Sequence, residues 1–346
     1  MSSATAPLAH RPRATIRDVA ALAGVGIKTV SRVINDEANV SAQTRERVQR
    51  AILALNFQPH LGAGALRRGD RKTLTIGLLL DAVDNPFSAA INRAVENVAS
   101  RRDTAVFAAS FDDDPQRERR LIAAFTRRRV DGLILTPFSP DQSYLTIEKD
   151  QGTPIVFVDR LPNGMLADTV VSDNHESAAA ATRHLIWRGH RRIAHLSDEL
   201  TISTARERRH GFADAMDRAG LSLGAVFVDD LRTQQAAHAA VRELMASPRP
   251  PTALFTSQNM ITIGAVRALH ELRLQHAVAM VGFDDVLLGD VLDPGITVMA
   301  QDPSRIGTLA AERVFARMDG DNSPAATIVV PTTLLVRGSG EISPPE

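Results

Sequence analysis

The sequence predicts an α/β protein with an N-terminal all-α helix-turn-helix headpiece and two doubly wound parallel-sheet lobes. Three observations support this prediction. The chain has 346 residues, 44% hydrophobic and 23% charged, as expected for a globular protein of two or three domains. Periodicity indicates three short helices between residues 15 and 56. From Thr73 onward, short apolar runs alternate with longer amphipathic stretches, which is typical of βαβ units.

The composition excludes several classes of protein. The chain contains no cysteine, so disulfides, thiolate metal sites and cysteine nucleophiles are all ruled out. No apolar run approaches the ~18 residues that a transmembrane helix needs. The first fourteen residues lack the apolar core of a secretory signal. We therefore expect a cytoplasmic protein.

The net charge of zero conceals an asymmetry between the two ends of the chain. Residues 1–72 contain twelve Lys and Arg but five Asp and Glu, a net charge of +7, so the other 274 residues carry −7. A basic module on an acidic body indicates a polyanionic partner for that module, such as nucleic acid. A solvated basic helical surface would show the same charge, so charge alone leaves both interpretations open.

The headpiece begins with a helix that has recognisable ends. Thr15 and Asp18 form a variant of the capping box, and Gly24 ends the helix. A tight glycine-containing turn leads to a second helix, from Ile27 to about Asn35, and Ser41 caps a third. Two helices joined by such a turn form a helix-turn-helix, whose second helix enters the major groove of DNA.

The run TIRDVAALAGVGIKTVSRVIND, followed by VSAQTRERVQRAILALNFQPH, resembles the DNA-binding headpiece of the LacI/GalR family of transcriptional regulators over residues 15–60. The resemblance implies that Ile27, Lys28 and Arg32 contact base edges. Lys and Arg side chains can donate to guanine O6 and N7, which agrees with that role. The remaining predicted DNA-binding residues of the headpiece, which bind phosphate, cap helices or flank the base contacts, are Thr15, Thr29, Ser31, Asn35, Ser41 and Thr44. Alternatively, Lys28 and Arg32 are two solvent-facing charges one helical turn apart.

A linker follows the headpiece at Pro59. Gly62 and Gly64 weaken any helix there, so we expect the free linker to be disordered. The family resemblance implies that it folds on DNA and that Leu66 of each subunit enters the minor groove, where such wedges kink the duplex. A flexible tether with an incidental leucine is the alternative.

The apolar runs of the body fall into two groups around residue 172, which predicts two lobes facing each other across a cleft. Ligands of such sheets bind outside the carboxyl ends of the strands. We expect the cleft to be lined by Asp84, Asn85, Phe111, Asp112, Pro137, Phe138, Asp159, Arg160, Ser197, Asp198, Asp229, Asp230, Ser257, Gln258, Asp284 and Asp285. The predicted organisation is a disordered arm 1–13, headpiece 14–58, hinge 59–71, first lobe 72–171 and 302–330, second lobe 172–301 and 331–340, and tail 341–346.

Six phrases of the body, DNPF, VDR, RGHRRIAHL, RERRHGF, VGFDD and VRGS, are similar in sequence and order to the LacI/GalR effector domain, which resembles periplasmic sugar-binding proteins. The resemblance implies that Arg208 and Asp284 hold the ligand and that Phe87, Asp159 and Gln258 line its site. Arg and Asp can form paired hydrogen bonds with hydroxyls or a carboxylate. Alternatively, Arg208 is a solvated helix charge and Asp284 is a helix N-cap.

Three histidines, His184, His190 and His195, are predicted to be structural because their spacing matches no zinc motif and no cysteine accompanies them. We expect no metal and no cofactor. The chain also lacks the sequence motifs of the common hydrolases, P-loop enzymes and dinucleotide-binding enzymes, so an enzyme is not expected.

The sequence therefore predicts a ligand-responsive transcriptional repressor that binds a palindromic operator as a homodimer or a higher oligomer. Its effector would be small, polar and sugar-like, and would bind in the cleft. The predicted location is the cytoplasm, at the nucleoid. The alternative is a sugar-binding protein without a gene-regulatory role, against which the basic headpiece argues.

Overall fold

A computed structural model describes residues 14–35, 37–57 and 72–345. The chain divides into two compact units, Met1–Thr73 and Leu74–Glu346. The predicted arm 1–13 and the predicted hinge 59–71, with Leu66, lie outside the described residues.

The first unit contains the predicted helices: α1 Ile16–Ala23, α2 Ile27–Ile34 and α3 Ala42–Ala54. The capping box is confirmed, because the Thr15 N–H donates to the Asp18 carboxylate at 2.7 Å and the Asp18 N–H donates to the Thr15 hydroxyl. Gly24 ends α1 in the left-handed region (φ 62°), where only glycine is free of strain. One fully buried valine from each helix forms the centre of the small core: Val19, Val30 and Val48.

The second unit contains two six-stranded sheets, as the alternating pattern predicts. Its strands are β1 Thr75–Leu80, β2 Ala105–Ser110, β3 Gly132–Leu135, β4 Ile155–Val158, β5 Asp168–Ser172, β6 Ile193–Leu196, β7 Ala225–Val228, β8 Ala253–Thr256, β9 Ala279–Phe283, β10 Thr297–Ala300, β11 Thr327–Val330 and β12 Thr333–Leu335. Its α-helices are α4 Pro86–Ser100, α5 Pro115–Arg127, α6 Thr146–Asp150, α7 Asn174–Trp187, α8 Ser203–Arg218, α9 Gln234–Ala246, α10 Asn259–Glu271 and α11 Pro303–Met318.

The strand orders are β11-β5-β4-β3-β1-β2 in the first sheet and β12-β10-β9-β8-β6-β7 in the second. We call these sheets with their helices the first lobe and the second lobe. Neighbouring strands are parallel except for β12, which runs antiparallel to β10. The last apolar run, TIVVPTTLLVR, therefore supplies one strand to each sheet. Pro331, which cannot donate to a strand ladder, lies between the two strands.

Both faces of each sheet are covered by apolar side chains, as parallel sheets require. In the first lobe, α4 and α11 pack on one face and α5 packs on the other. In the second lobe, α9 and α10 cover one face, and α7 and α8 cover the other. None of the helices in the described part of the chain is long and apolar enough to cross a membrane.

Two of the three histidines join the C-terminal segment to the second lobe. His190 forms hydrogen bonds with the Thr252 hydroxyl and the Ile342 carbonyl, both at 2.8 Å. His184 contacts the Gly340 carbonyl at 3.1 Å. Within the described residues, no group of His, Cys, Asp or Glu side chains is arranged to hold a metal ion.

His195 is completely buried on β6, and neither ring nitrogen has a hydrogen-bond partner. Its neighbours are the rings of Phe212 and Phe255, with centroids 5.1 and 5.3 Å away. Burial, together with the positive charges of Arg209 and Arg208, lowers the pKa of His195 to about 3. The imidazole is therefore neutral in the folded protein at any pH above about 3.

We expect His195 to make the second lobe less stable in acid. An unfolded histidine takes up a proton below pH ~6.5, whereas His195 in the fold does not until about pH 3. Between these values the free energy of unfolding should fall by about 1.4 kcal/mol per pH unit because of this group. Urea unfolding of wild type and His195→Leu, followed by circular dichroism at pH 6 and pH 4, measures the difference. An equal pH dependence in both proteins would show that His195 is protonated in the fold.

Candidate functional site

Helix α2 presents one polar side to solvent and one apolar side to the core. Val30 and Val33 are buried against the other two helices. The side of the helix that faces away from the core carries Lys28 and Arg32, which are exposed, and Ile27, which is 43% exposed. The structure thus brings together the three side chains that were predicted to contact base edges. A short helix with this exposed side has the form of a major-groove recognition helix.

Among the polar residues of the headpiece that were predicted to bind phosphate, three lie at helix N-termini. Thr15 bonds to Asp18 through its hydroxyl at 2.7 Å, and the Ser41 hydroxyl donates to the Thr44 hydroxyl at 2.9 Å. The Ser41 side chain also accepts from the Thr44 N–H, which caps α3. Helix N-termini carry unpaired N–H groups that favour phosphate.

The other predicted DNA-binding residues lie on or directly after α2. The Asn35 amide donates to the Ser31 hydroxyl at 3.5 Å, and Thr29 is half-buried. Arg32 Nε lies 3.6 Å from a Glu37 carboxylate oxygen, and both side chains are about half exposed. Arg32 must therefore exchange a weak surface ion pair for any base that it contacts.

A cavity of about 360 Å³ lies between the two lobes at the carboxyl ends of their strands, where the sequence predicted a ligand. All five predicted ligand-site residues line it: Phe87, Asp159, Arg208, Gln258 and Asp284. Among the other predicted strand-end residues, those lining the cavity are Asp84, Asn85, Asp112, Arg160, Asp198 and Ser257. The prediction is wrong for Phe111, Pro137, Phe138, Ser197, Asp229, Asp230 and Asp285, which do not line it.

Tertiary contacts explain several of these errors. Phe111 is completely buried and stacks on Phe138, so its side chain turns into the first-lobe core. Asp229 pairs with Arg209, and Asp285 accepts two hydrogen bonds from Arg337. Each of these carboxylates is therefore held at a position outside the cavity.

Asp159 and Asp284 occupy equivalent places in the two lobes. Each follows a strand, adopts a left-handed conformation (φ 68° and 67°), and donates its N–H to a carbonyl of the neighbouring strand at 2.9 Å. Such strain in a residue that is not glycine is typical of functional sites. Burial raises the pKa of both carboxyls. No helix begins after Asp284, so the N-cap interpretation of this residue is wrong.

Arg208, on α8, is only 5% exposed, which rules out the interpretation as a solvated helix charge. Its Nε donates to Asn174 Oδ1 at 2.8 Å and its Nη1 to the Ser257 carbonyl at 2.7 Å. The guanidinium carbon lies 3.6 Å from the ring centroid of Phe283. Burial lowers the pKa of Arg208, while Asp284 and Asp159 oppose that effect by Coulombic attraction. Arg208 is thus a fixed cation at the cavity wall that attracts the carboxyl groups of Asp284 and Asp159.

Several cavity residues were not among the predicted ligand-site residues. Arg160 donates to Asp81 at 3.0 Å, and Gln301 donates to Asp284 at 2.7 Å. Asn85 and Asn259, from opposite lobes, form a reciprocal amide pair at 2.9 and 3.4 Å. Gln301 directly follows β10, so the strand-end rule could have found it. The amide pair could not be found in this way, because it joins residues 174 positions apart.

Two family models match the chain. Residues 15–60 match bacterial regulatory proteins of the lacI family. Residues 73–335 match the periplasmic binding proteins and sugar binding domain of the LacI family. The chain belongs to the LacI family.

Individual relatives agree with this membership. The ribose operon repressor of Escherichia coli K12 is 32% identical over 331 residues, which cover 94% of this chain and 99% of that protein. A structure of the transcriptional regulator CelR in complex with cellobiose is 31% identical, covers 94% of this chain and 100% of that chain, and has a TM-score of 0.68. The lac repressor dimer bound to operator and the anti-inducer ONPF is 24% identical, covers 94% and 99% of the two chains, and has a TM-score of 0.82. That last similarity establishes the shared fold.

Membership of the LacI family favours a gene regulator over a solute-binding protein without a regulatory role. The deciding segment is the headpiece, residues 15–60, because it is the part that matches regulatory proteins as such. The relative with 32% identity is likewise named as a repressor.

Proposed function

We propose that this LacI-family member is a repressor that binds a palindromic operator as a homodimer and responds to a small sugar-like effector in the cavity. The observation that carries the proposal is the cavity itself, which is polar and lined by side chains of both lobes. It is accompanied in the same chain by a headpiece that exposes Ile27, Lys28 and Arg32 together.

The cavity supports control by a ligand because its walls are supplied by both lobes. Phe87 and Asp159 come from the first lobe, and Arg208, Gln258 and Asp284 come from the second. A ligand that bonds to both sets favours one arrangement of the lobes, and it shifts the population toward that arrangement by its difference in affinity. The Asn85–Asn259 amide pair joins the two lobes directly beside the cavity.

The sugar-like class of the effector is supported by two features. The buried Arg208, Asp159 and Asp284 offer paired hydrogen bonds, and Phe87 offers an aromatic surface, as cavities for polyhydroxylated ligands require. The ribose operon repressor and the CelR–cellobiose complex are relatives at 32% and 31% identity.

Dimer formation is supported by an exposed apolar edge of the first sheet. Edge strand β2 carries the sequence AVFAAS, and Phe107 on it is 41% exposed. An exposed apolar edge strand is a surface that a second copy can cover. A two-fold dimer presents two identical recognition helices, which is why the operator should be palindromic.

Two measurements on the full chain test the proposal. DNase footprinting of the regulated promoter should protect two symmetric half-sites, and sedimentation equilibrium should give at least a dimer. Protection of a single asymmetric half-site, or a monomer that still binds specifically, would contradict it.

The predicted role of Leu66 is tested separately, because it rests on the family resemblance. We expect Leu66→Ala to lower operator affinity and reduce DNA bending while the headpiece stays folded, since a wedge side chain stabilises the kinked duplex. Circular permutation gel shifts measure the bend, and Leu55→Ala, a core change, controls for loss of folding. Unchanged bending and affinity would make residues 59–71 a simple tether.

We propose that no chemical reaction takes place in the cavity. The protein would act at the nucleoid, where it is bound to its operator. Among the described residues, those that line the cavity include no histidine or lysine that could serve as a general base at neutral pH. A change in operator affinity with full recovery of the unchanged effector is the expected outcome, and chromatographic detection of a converted effector would contradict it.

A further inference from the structure

The cavity carries more negative charge than the binding of a neutral sugar needs. Seven aspartates and three arginines line it. Two of the arginines already have carboxylate partners: Arg160 donates to Asp81 at 3.0 Å, and Arg232 lies 2.5 Å from Glu199. The third, Arg208, is attracted to both Asp159 and Asp284, so one positive charge faces two carboxyl groups. Asp112 is paired with Arg117, which leaves Asp84, Asp113 and Asp198 to give the ligand an acidic environment.

Two of these carboxylates, Asp113 of the first lobe and Asp198 of the second, have no arginine within hydrogen-bond distance. Asp113 Oδ1 is buried without any hydrogen-bond partner. Within the described residues, Asp198 accepts from the neighbouring Glu199 N–H alone, at 2.7 Å. A buried acceptor without a donor, such as Asp113 Oδ1, is unfavourable, and a bound donor satisfies it.

A second feature points to a ligand at the same end of the cavity. Arg160 is only 8% exposed, and its Nη1 and Nε have no hydrogen-bond partner; Nε makes only an ion pair with Asp159 at 3.4 Å. These nitrogens require an acceptor, such as a hydroxyl oxygen. The ligand must therefore supply acceptors to Arg160 and donors to Asp113. A metal ion would not do this, and no carboxylate group in the described residues has the arrangement of a metal site.

We propose, building on the proposed function, that the effector is a polyhydroxylated amine whose ammonium group binds between Asp113 and Asp198. Its hydroxyls bond to Arg160, Arg208, Asp159 and Asp284. An ammonium group carries three donors and no acceptor, so it can donate to both carboxylates at once. A hydroxyl has a single donor and can satisfy only one of them. An acidic or phosphorylated sugar is repelled by the same carboxylates.

The electrostatics of Asp113 agree with this assignment. Burial and the negative charge of Asp81 raise the pKa of Asp113 to about 6, with Asp198 adding to the effect while Arg232 and Arg160 oppose it. A neighbouring ammonium group would favour the ionised form and reverse the shift. Binding of an amine should therefore release a proton from Asp113 below pH 6, so the affinity for the amine rises from pH 5 to pH 7. The affinity for a neutral sugar has no such dependence on Asp113.

The test compares matched sugars on the full-length protein by thermal shift at equal concentration. The probes are glucosamine, galactosamine and mannosamine, their parent hexoses, and their uronic acids. We expect at least one amine to bind about tenfold or more tightly than its parent hexose, and the uronic acids to give no shift. Tighter binding of a hexose or uronic acid than of its amine, or no shift with any amine, would overturn the proposal.

Two variants and a matched control locate the ammonium group. Asp113→Asn and Asp198→Asn should each weaken amine binding about tenfold, leave hexose binding nearly unchanged and, for Asp113→Asn, remove the pH dependence. Asp230→Asn is the control, because Asp230 is an exposed strand-end residue outside the cavity. This variant loses the same charge and should leave the binding of the amine and of the hexose unchanged. Equal losses for amine and hexose would assign these carboxylates to folding. If a hexose changes operator binding at a concentration at which its amine does not, the repressor function stands and the amine proposal fails.

Discussion

Lys28→Ala and Arg32→Ala should each weaken binding to the specific operator by about 1–3 kcal/mol and change binding to random DNA little. Both side chains are exposed on α2, whose opposite side is held by the buried Val30 and Val33. Removing either cation therefore tests the proposed base contact without disturbing the headpiece core. Fluorescence anisotropy with operator and scrambled duplexes at the same salt concentration measures both affinities.

Arg50→Ala is the matched control for these two variants. Arg50 lies on α3, exposed and ion-paired with Glu46, so the variant loses the same charge from another face. A general loss of phosphate attraction would appear equally in all three variants and on both duplexes, since phosphate contacts carry no sequence information. That result would contradict the assignment of Lys28 and Arg32 to base edges.

Glu37→Gln extends the experiment to the ion pair of Arg32. The pair spans 3.6 Å at the surface, so its loss should affect folding little and should free Arg32 for DNA. A modest gain in operator affinity is expected.

Much of the fold could be predicted because its signals are local. The capping box of Thr15 and Asp18 and the left-handed Gly24 depend on residues that are neighbours in sequence. The central strands β1, β3 and β4 are recognisable because each is a short apolar run that is almost completely buried. The two groups of runs then correspond to the two sheets, with the last run divided between them.

The candidate cavity could be predicted only in outline. The strand-end rule places side chains at the correct edge of the sheet, but long-range contacts decide which of them turn inward. Asp284 lines the cavity, whereas the next residue, Asp285, bonds to Arg337, 52 positions away in the sequence. The partners of Arg208 are 34 and 49 positions away, so its burial could not be derived from the charged run RERRH.

Arg208→Ala should abolish the response to the effector while the protein still binds its operator without ligand. The guanidinium is fixed at the cavity wall by Asn174 and Ser257, opposite the first-lobe residue Asp159. Loss of its charge-assisted hydrogen bonds should weaken effector binding by about 1.5–3 kcal/mol or more. The operator-binding surface lies on a different compact unit of the chain, which the substitution leaves unchanged.

Arg208→Ala should also lower the stability of the fold, and the experiment must separate this effect from the loss of response to the effector. Arg208→Ala leaves two buried acceptors, Asn174 Oδ1 and the Ser257 carbonyl, without their donor, at about 1–3 kcal/mol each. Arg208→Lys keeps the charge but cannot form the same forked contacts, so it should be better folded and still respond poorly. Arg209→Ala is the control, because Arg209 pairs with Asp229 outside the cavity.

The deciding measurement is operator affinity with and without the sugar or amino sugar that changes the affinity of the wild-type protein, at a temperature where all variants are folded. Arg209→Ala should respond as wild type does, and both Arg208 variants should keep their ligand-free operator affinity at the wild-type effector concentration. A ligand shifts the population between two arrangements of the lobes only by its difference in affinity for them. If the contact with Arg208 supplies this difference, the ligand no longer changes operator binding once the contact is lost. An Arg208→Ala protein that still responds at that concentration would show that the effector binds elsewhere.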